Sequence, residues 1–156
     1  MEHKRMNIVE GDLIQLAMMG EFDVIVHGCN CQCTMGAGIA RTIKQRFPEA
    51  YDADRATGKG LRDKLGTISF ARIARPGAEF VIVNAYTQFH WQGAGVKADY
   101  EAIRNAMTAV KTHFSGSRIG YPLIGAGLAD GDWNIIAPLI DEALAGEDHT
   151  LVRYVP

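Results

Sequence analysis

Apolar positions along this chain alternate between short continuous runs and stretches with a helical period. Met6 to Glu10 reads as a first strand, and Leu13, Leu16 and Ala17 give a short helical face. Phe22 to Gly28 is a continuous apolar run, as expected for a strand covered on both faces. Ile39, Ala40, Ile43, Lys44 and Phe47 carry a helical period that Pro48 stops or bends, and Tyr51 to Ala56 gives a further helical piece. Thr67 to Ile73 and Phe80 to Tyr86 read as two strands across a Pro76-Gly77 turn, which predicts an antiparallel pair. A long loop from Thr87 to Lys97 follows. Asp99 then caps a helix with the apolar face Ile103, Met107, Val110 and Phe114. Arg118 to Leu123 is a strand, Trp133 to Leu144 a helix with Pro138 in or near its first turn or bending it, and Leu151 to Tyr154 a last strand.

This order predicts an α/β protein: a three-layer α/β/α sandwich with a mixed central sheet, formed by residues 1–156 as one domain. In such sheets ligands bind beyond the carboxyl ends of parallel strands, where the strand order switches. The chemistry is therefore expected in the loops after Gly28 and Leu123.

Both loops are rich in glycine. Gly36-Ala37-Gly38 follows the first buried strand, and Gly125-Ala126-Gly127 follows a later one. Glycine lets the backbone turn tightly and lets a ligand approach the amides. A helix N-terminus behind each loop adds N–H groups and partial positive charge, so two facing loops suit a diphosphate. The bland alternative is a pair of tight strand-to-helix turns. Neither loop ends in the Gly-Lys-Ser/Thr of a nucleotide-triphosphate loop, and the first lies too far beyond its strand for a dinucleotide turn.

Composition narrows the reading. The 156 residues carry 16 basic and 18 acidic side chains, a formal charge of −2. That charge gives no basic footprint for sequence-specific nucleic-acid binding. No apolar run reaches the roughly 18 residues needed to cross a bilayer, and the polar start lacks a secretory pattern, so no membrane partner and a cytoplasmic location are expected. Cys29, Cys31 and Cys33 are odd in number and crowded, which argues against a disulfide framework and for a reducing compartment. Alternate residues on one loop also make a poor tetrahedral set, so no metal and no cofactor are expected.

Four motifs together resemble the macro domain family over nearly the whole chain. They are Gly11-Asp12-Leu13, the strand Val24 to Gly28 with Cys29-Asn30, Met35-Gly36-Ala37-Gly38-Ile39-Ala40, and Ile124-Gly125-Ala126-Gly127-Leu128. The resemblance implies an ADP-ribose ligand, with Asp12 accepting from the adenine amino group beside Leu13. It implies Asn30 on the hydroxyls of the distal ribose. The amides around Gly36, Ala37, Gly38 and Ile39, and those around Ile124, Gly125, Ala126, Gly127 and Leu128, would hold the diphosphate and distal ribose. His27-Gly28-Cys29-Asn30-Cys31 is most similar to the yeast-type ADP-ribose 1''-phosphate phosphatases. Gly127 to Trp133 resembles the terminal ADP-ribose glycohydrolases. From that second subgroup the chain departs twice: Gln88, not Lys, follows Thr87, and Ala129, not Asp, follows Gly127-Leu128. A glutamine amide cannot act as a nucleophilic amine.

The resemblance thus implies hydrolysis of ADP-ribose 1''-phosphate to ADP-ribose and phosphate, with His27, Asn30 and Asp130 as catalytic candidates. The alternatives are a reader without turnover, bound to free ADP-ribose or to ADP-ribosylated macromolecules, and a hydrolase that removes ADP-ribose or acyl groups. His27 is a general acid or base, or a strand-end histidine bonded to backbone. Asp132 is read as the cap of the Trp133 helix. Phe89 or Trp91 would cover the distal ribose, and Tyr154 would pack on adenine, unless each is ordinary packing.

Overall fold

A computed structural model of the chain describes residues 5–91, 95–127 and 129–155. It contains β1 (Asn7–Gly11), α1 (Leu13–Met18), β2 (Val24–Asn30), α2 (Gly38–Arg46), α3 (Pro48–Ala56), β3 (Ile68–Arg75), β4 (Ala78–Gln88), α4 (Tyr100–Phe114), β5 (Arg118–Tyr121), α5 (Trp133–Ala143) and β6 (Asp148–Tyr154). A short 3-10 turn, Arg62–Lys64, precedes β3. Among the described residues no helix is long and apolar enough to cross a membrane.

The six strands form one sheet in the order β1-β6-β5-β2-β4-β3. All neighbours are parallel except β3 and β4, which form the expected hairpin across Pro76-Gly77, with Gly77 at φ +78°. The chain enters the middle of the sheet at β2, runs outward through β4 and β3, and returns to β5 beside β2. The strand order therefore switches between β2 and β5, the place where the sequence put the ligand loops.

Strand residues alternate between two cores, as the pleat requires. Val24 and Val26 pack with Ile103, Met107 and Val110 of α4 and with Ile136 and Ile140 of α5. Ile25 packs on the other face with Ile14, Ile43, Phe47 and Ala50, from α1, α2, the α2–α3 junction and α3. Helices thus cover both faces, and the α/β/α sandwich is observed.

Local signals set the helix ends. Pro48 ends α2 and also opens α3 at the first helical position, where its missing N–H costs nothing. Asp99 caps α4 by accepting from the Ala102 N–H at 2.9 Å. Asp99→Ala is expected to lower stability by about 1 kcal/mol, read from a urea melt, with little effect elsewhere. Pro138 lies inside α5 and removes a backbone donor there.

Candidate functional site

A cleft of about 570 Å³ opens beyond the carboxyl ends of β2, β4, β5 and β6. Val152 and Tyr154 border it at the β6 side, and Thr87, Gln88 and Trp91 border it at the β4 side. Residues of both glycine-rich loops line it.

The first loop is held open by its own side chains. Asn30 accepts the Gln32 N–H through Oδ1 (2.8 Å) and donates from Nδ2 to Thr34 Oγ1 (2.9 Å). Cys33 and Met35 take positive φ values of +56° and +42°, which non-glycine residues seldom adopt, so the surrounding contacts hold the backbone in a sparsely populated region. α2 then starts at Gly38 (φ +59°), and its cap residue Ala37 offers no side-chain acceptor. Its first-turn N–H groups are left for a ligand, and the helix dipole favours an anion there.

The second loop is built differently. Gly125 has φ +74°, and its carbonyl accepts the Gly131 N–H at 2.6 Å. α5 does not begin at this loop. It begins at Trp133, and Asp132 accepts the Asn134 N–H at 2.9 Å as its cap. The expectation of two helix N-termini facing one anion is corrected to one, that of α2.

Of the residues singled out in the sequence, Asn30, Gly36, Ala37, Gly38, Ile39, Ile124, Gly125 and Gly127 line the cleft. Leu13 does not, being the buried first residue of α1. Ala126 packs toward the α4–α5 core, and Leu128 lies outside the described residues. Asp12 caps α1 through the Gln15 N–H at 3.0 Å and stands at the end of β1, whose Gly11 pairs with Tyr154. That places Asp12 at the β6 side but not on the cleft wall. Tyr154 is 71% exposed and available as a platform, and Trp91, stacked on His90 at 4.2 Å, is available at the opposite end. Phe89 instead lies under the Arg62 guanidinium at 3.9 Å.

Neither His27 nor Asp130 is on the cleft wall. Asp130 is exposed, in a left-handed turn at φ +58°. His27 shares the face of Ile25 and is fully buried opposite Asn84, its partner in register on β4. Asn84 Nδ2 donates to Ala50 O (2.9 Å) and Ser69 Oγ (3.0 Å), so its Oδ1 accepts from His27 Nε2–H at 2.6 Å. Burial holds the His27 imidazole far below the usual histidine range, at about 4. In place of the expected contact to backbone, His27 thus bonds the Asn84 side chain, and it is not among the residues that line the cleft.

The cysteines carry no metal geometry: no cluster of His, Cys, Asp or Glu among the described residues could hold an ion. All three are free, and burial pushes the Cys29 and Cys31 thiols up, which keeps them protonated. Unforeseen in the sequence is Asp54 on α3, which lines the cleft and pairs with Lys64 Nζ at 3.3 Å. Its setting in Ala50-Tyr-Asp-Ala-Asp54-Arg reads as a solvated helix face, and neither Lys64 nor Tyr86, its partners, is close in sequence.

Comparison with known sequences matches residues 26–140 to the Macro domain family. The chain belongs to this family. The macro domain is 32% identical over 154 residues to an uncharacterized 17.5 kDa protein of Enterobacteria phage T4, covering 95% of this chain and 96% of that one. It is 26% identical to the ADP-ribose glycohydrolase OARD1 of Bos taurus, over 98% of this chain and 93% of the relative. An ADP-ribose 1''-phosphate phosphatase of Aspergillus clavatus is 36% identical, but over only 40% of this chain and 30% of the relative. Among solved structures, the macrodomain of Mycobacterium tuberculosis DarG superposes with a TM-score of 0.75 over 97% of this chain and 99% of that one, at 22% identity. That likeness shows the macro domain fold.

Proposed function

We propose that this macro domain binds ADP-ribose along the cleft and hydrolyses the bond at C1'' of its distal ribose, releasing ADP-ribose from a modified macromolecule. The carrying observation is the single uncapped N-terminus of α2 midway along the cleft, with Tyr154 at one end and Asn30 beyond it. That order suits a base, a diphosphate and a second sugar in turn. The end-to-end match to a glycohydrolase supports the reaction class. So does the lining of the cleft: among the described residues it holds one acidic side chain, Asp54, and no Lys, Arg or His to receive a terminal phosphate.

Gln88 stands where a lysine nucleophile is expected, and its Nε2 donates to His90 O at 3.0 Å. The reaction proposed is therefore attack by water on C1''. The bond from C1'' to the leaving oxygen or nitrogen breaks, and a proton passes to the leaving atom. Asn30 and the loop amides hold the sugar in place.

A second reading, the 1''-phosphate phosphatase, is favoured by His27-Gly28-Cys29-Asn30-Cys31 and by the partial phosphatase relative. The two separate cleanly. Calorimetric titration should show ADP-ribose binding more tightly than AMP. Incubation with ADP-ribosylated protein or DNA should then release ADP-ribose. Release of inorganic phosphate from ADP-ribose 1''-phosphate, with the modified macromolecules left intact, would decide for the phosphatase. Three free thiols also fit a reducing, cytoplasmic compartment.

A further inference from the structure

Asp54 has one carboxylate oxygen in use and one idle. Oδ1 accepts from the Tyr86 hydroxyl at 2.8 Å and from Lys64 Nζ at 3.3 Å. Oδ2 is buried and has no donor among the described residues. The residue is 1% exposed and Lys64 only 5%. An unmatched buried carboxylate oxygen costs free energy, and a buried ion pair adds little stability over apolar residues of the same size. Stability therefore does not account for the arrangement.

The neighbours with protons to give are committed elsewhere. Lys64 Nζ also donates to Gly58 O (3.0 Å) and Cys33 Sγ (3.3 Å) and lies 4.4 Å from the Tyr86 ring centre. The Cys29 thiol faces His27, 3.7 Å from Nδ1, the nitrogen left as acceptor. Asp54 itself is one of the residues that line the cleft. The position along the cleft follows from the sheet order. Asp54 is tied to β4 through Tyr86, with β2 and β5 between it and Tyr154 on β6. On the ADP-ribose reading, on which this step rests, the far ribose occupies that end.

We propose that Asp54 is a specificity-determining residue of the cleft. Its Oδ2 accepts a hydrogen bond from a hydroxyl of the sugar bound at the β4 end and rejects a phosphate ester at that hydroxyl. A neutral O–H satisfies the idle oxygen; a phosphate brings a second negative charge into a poorly solvated place.

The test compares ADP-ribose with ADP, which lacks the second sugar, by calorimetry on the wild-type protein and on Asp54→Asn. ADP-ribose affinity should fall about ten- to hundredfold, the range of one hydrogen bond to a charged group, while ADP affinity stays within about twofold. Because Asp54→Asn leaves the Lys64 ammonium buried without its counter-charge, the double variant Asp54→Asn/Lys64→Met is measured beside it. Either variant, folded by its thermal melt and binding ADP-ribose like the wild type, overturns the assignment. Equal losses for ADP-ribose and ADP overturn it too, since they mark a purely structural role. Wild-type protein that binds ADP but not ADP-ribose removes the functional reading and this assignment with it.

Discussion

Gly131→Ala is expected to be the most damaging single methyl group that can be added near the cleft. A Cβ at this position runs into the Gly125 carbonyl oxygen, a backbone atom that cannot swing aside, and into Ile136 Cδ1 at 2.8 Å and Ala98 Cβ at 3.0 Å. Relief requires the 2.6 Å bond from Gly131 N to Gly125 O to open, and that bond closes the second glycine-rich loop. Overpacking of this kind costs about 1–3 kcal/mol, and the lost hydrogen bond about 1 more. We expect the denaturation midpoint to drop accordingly and ADP-ribose affinity to fall by at least about tenfold, because Gly125 and Gly127 form one wall of the cleft. A variant with unchanged melting and unchanged titration would show that the loop closes without this contact.

The second large effect is on pH dependence, and it comes from His27. Its folded-state value of about 4 lies well below the ordinary 6.5. Between those pH values the unfolded chain binds a proton that the folded chain does not, so stability rises with pH across this window and falls as the medium is acidified. The stabilisation is fully present above about pH 6.5 and is lost progressively toward pH 4, by about 3 kcal/mol in all. His27→Gln keeps a donor for Asn84 Oδ1 but has no proton to gain. Urea melts at pH 7 and pH 4.5 should therefore show a smaller acid loss in His27→Gln than in the wild type. Equal losses would place the acid sensitivity elsewhere.

The contrast between the two loops explains how much of the site was legible in the sequence. Strand runs followed by glycine mark the two loops that line the cleft, because a parallel strand must end in a turn and a buried strand must be apolar. The ends of elements were less certain. Proline at 48 reads as a stop, yet it is also a favoured first residue, and α3 begins there rather than at Tyr51. The second helix starts at Trp133, as its pattern predicts, behind the Asp132 cap, so its N-terminus does not sit at the Gly125-Ala126-Gly127 loop.

His27 and Asp54 are hard to place from the sequence, for opposite reasons. His27 sits in a motif that resembles the yeast-type phosphatases, yet strand parity turns it into the core. The pleat places residues 25, 27 and 29 on one face, and Ile25 on that face is core. Asp54 stands beside Asp52 and Arg55 on a short helix and carries no sequence signal of its own. Its partners come from ten and 32 residues further along, and such pairings appear only when the chain is folded.

The pairing of β1 with β6 bears on the order of events during synthesis. Asn7 lies opposite Thr150 and Gly11 opposite Tyr154, so almost the entire chain intervenes between partners. While a ribosome is still adding residues to α5, β1 has no neighbour to bond. Its Ile8 and Val9, more than a third exposed even in the finished fold, are then presented to any other nascent strand. The sheet's inner strands can assemble early, but docking of the first strand waits for the last. Translation halted near residue 145 therefore leaves a sheet with an open border beside β5.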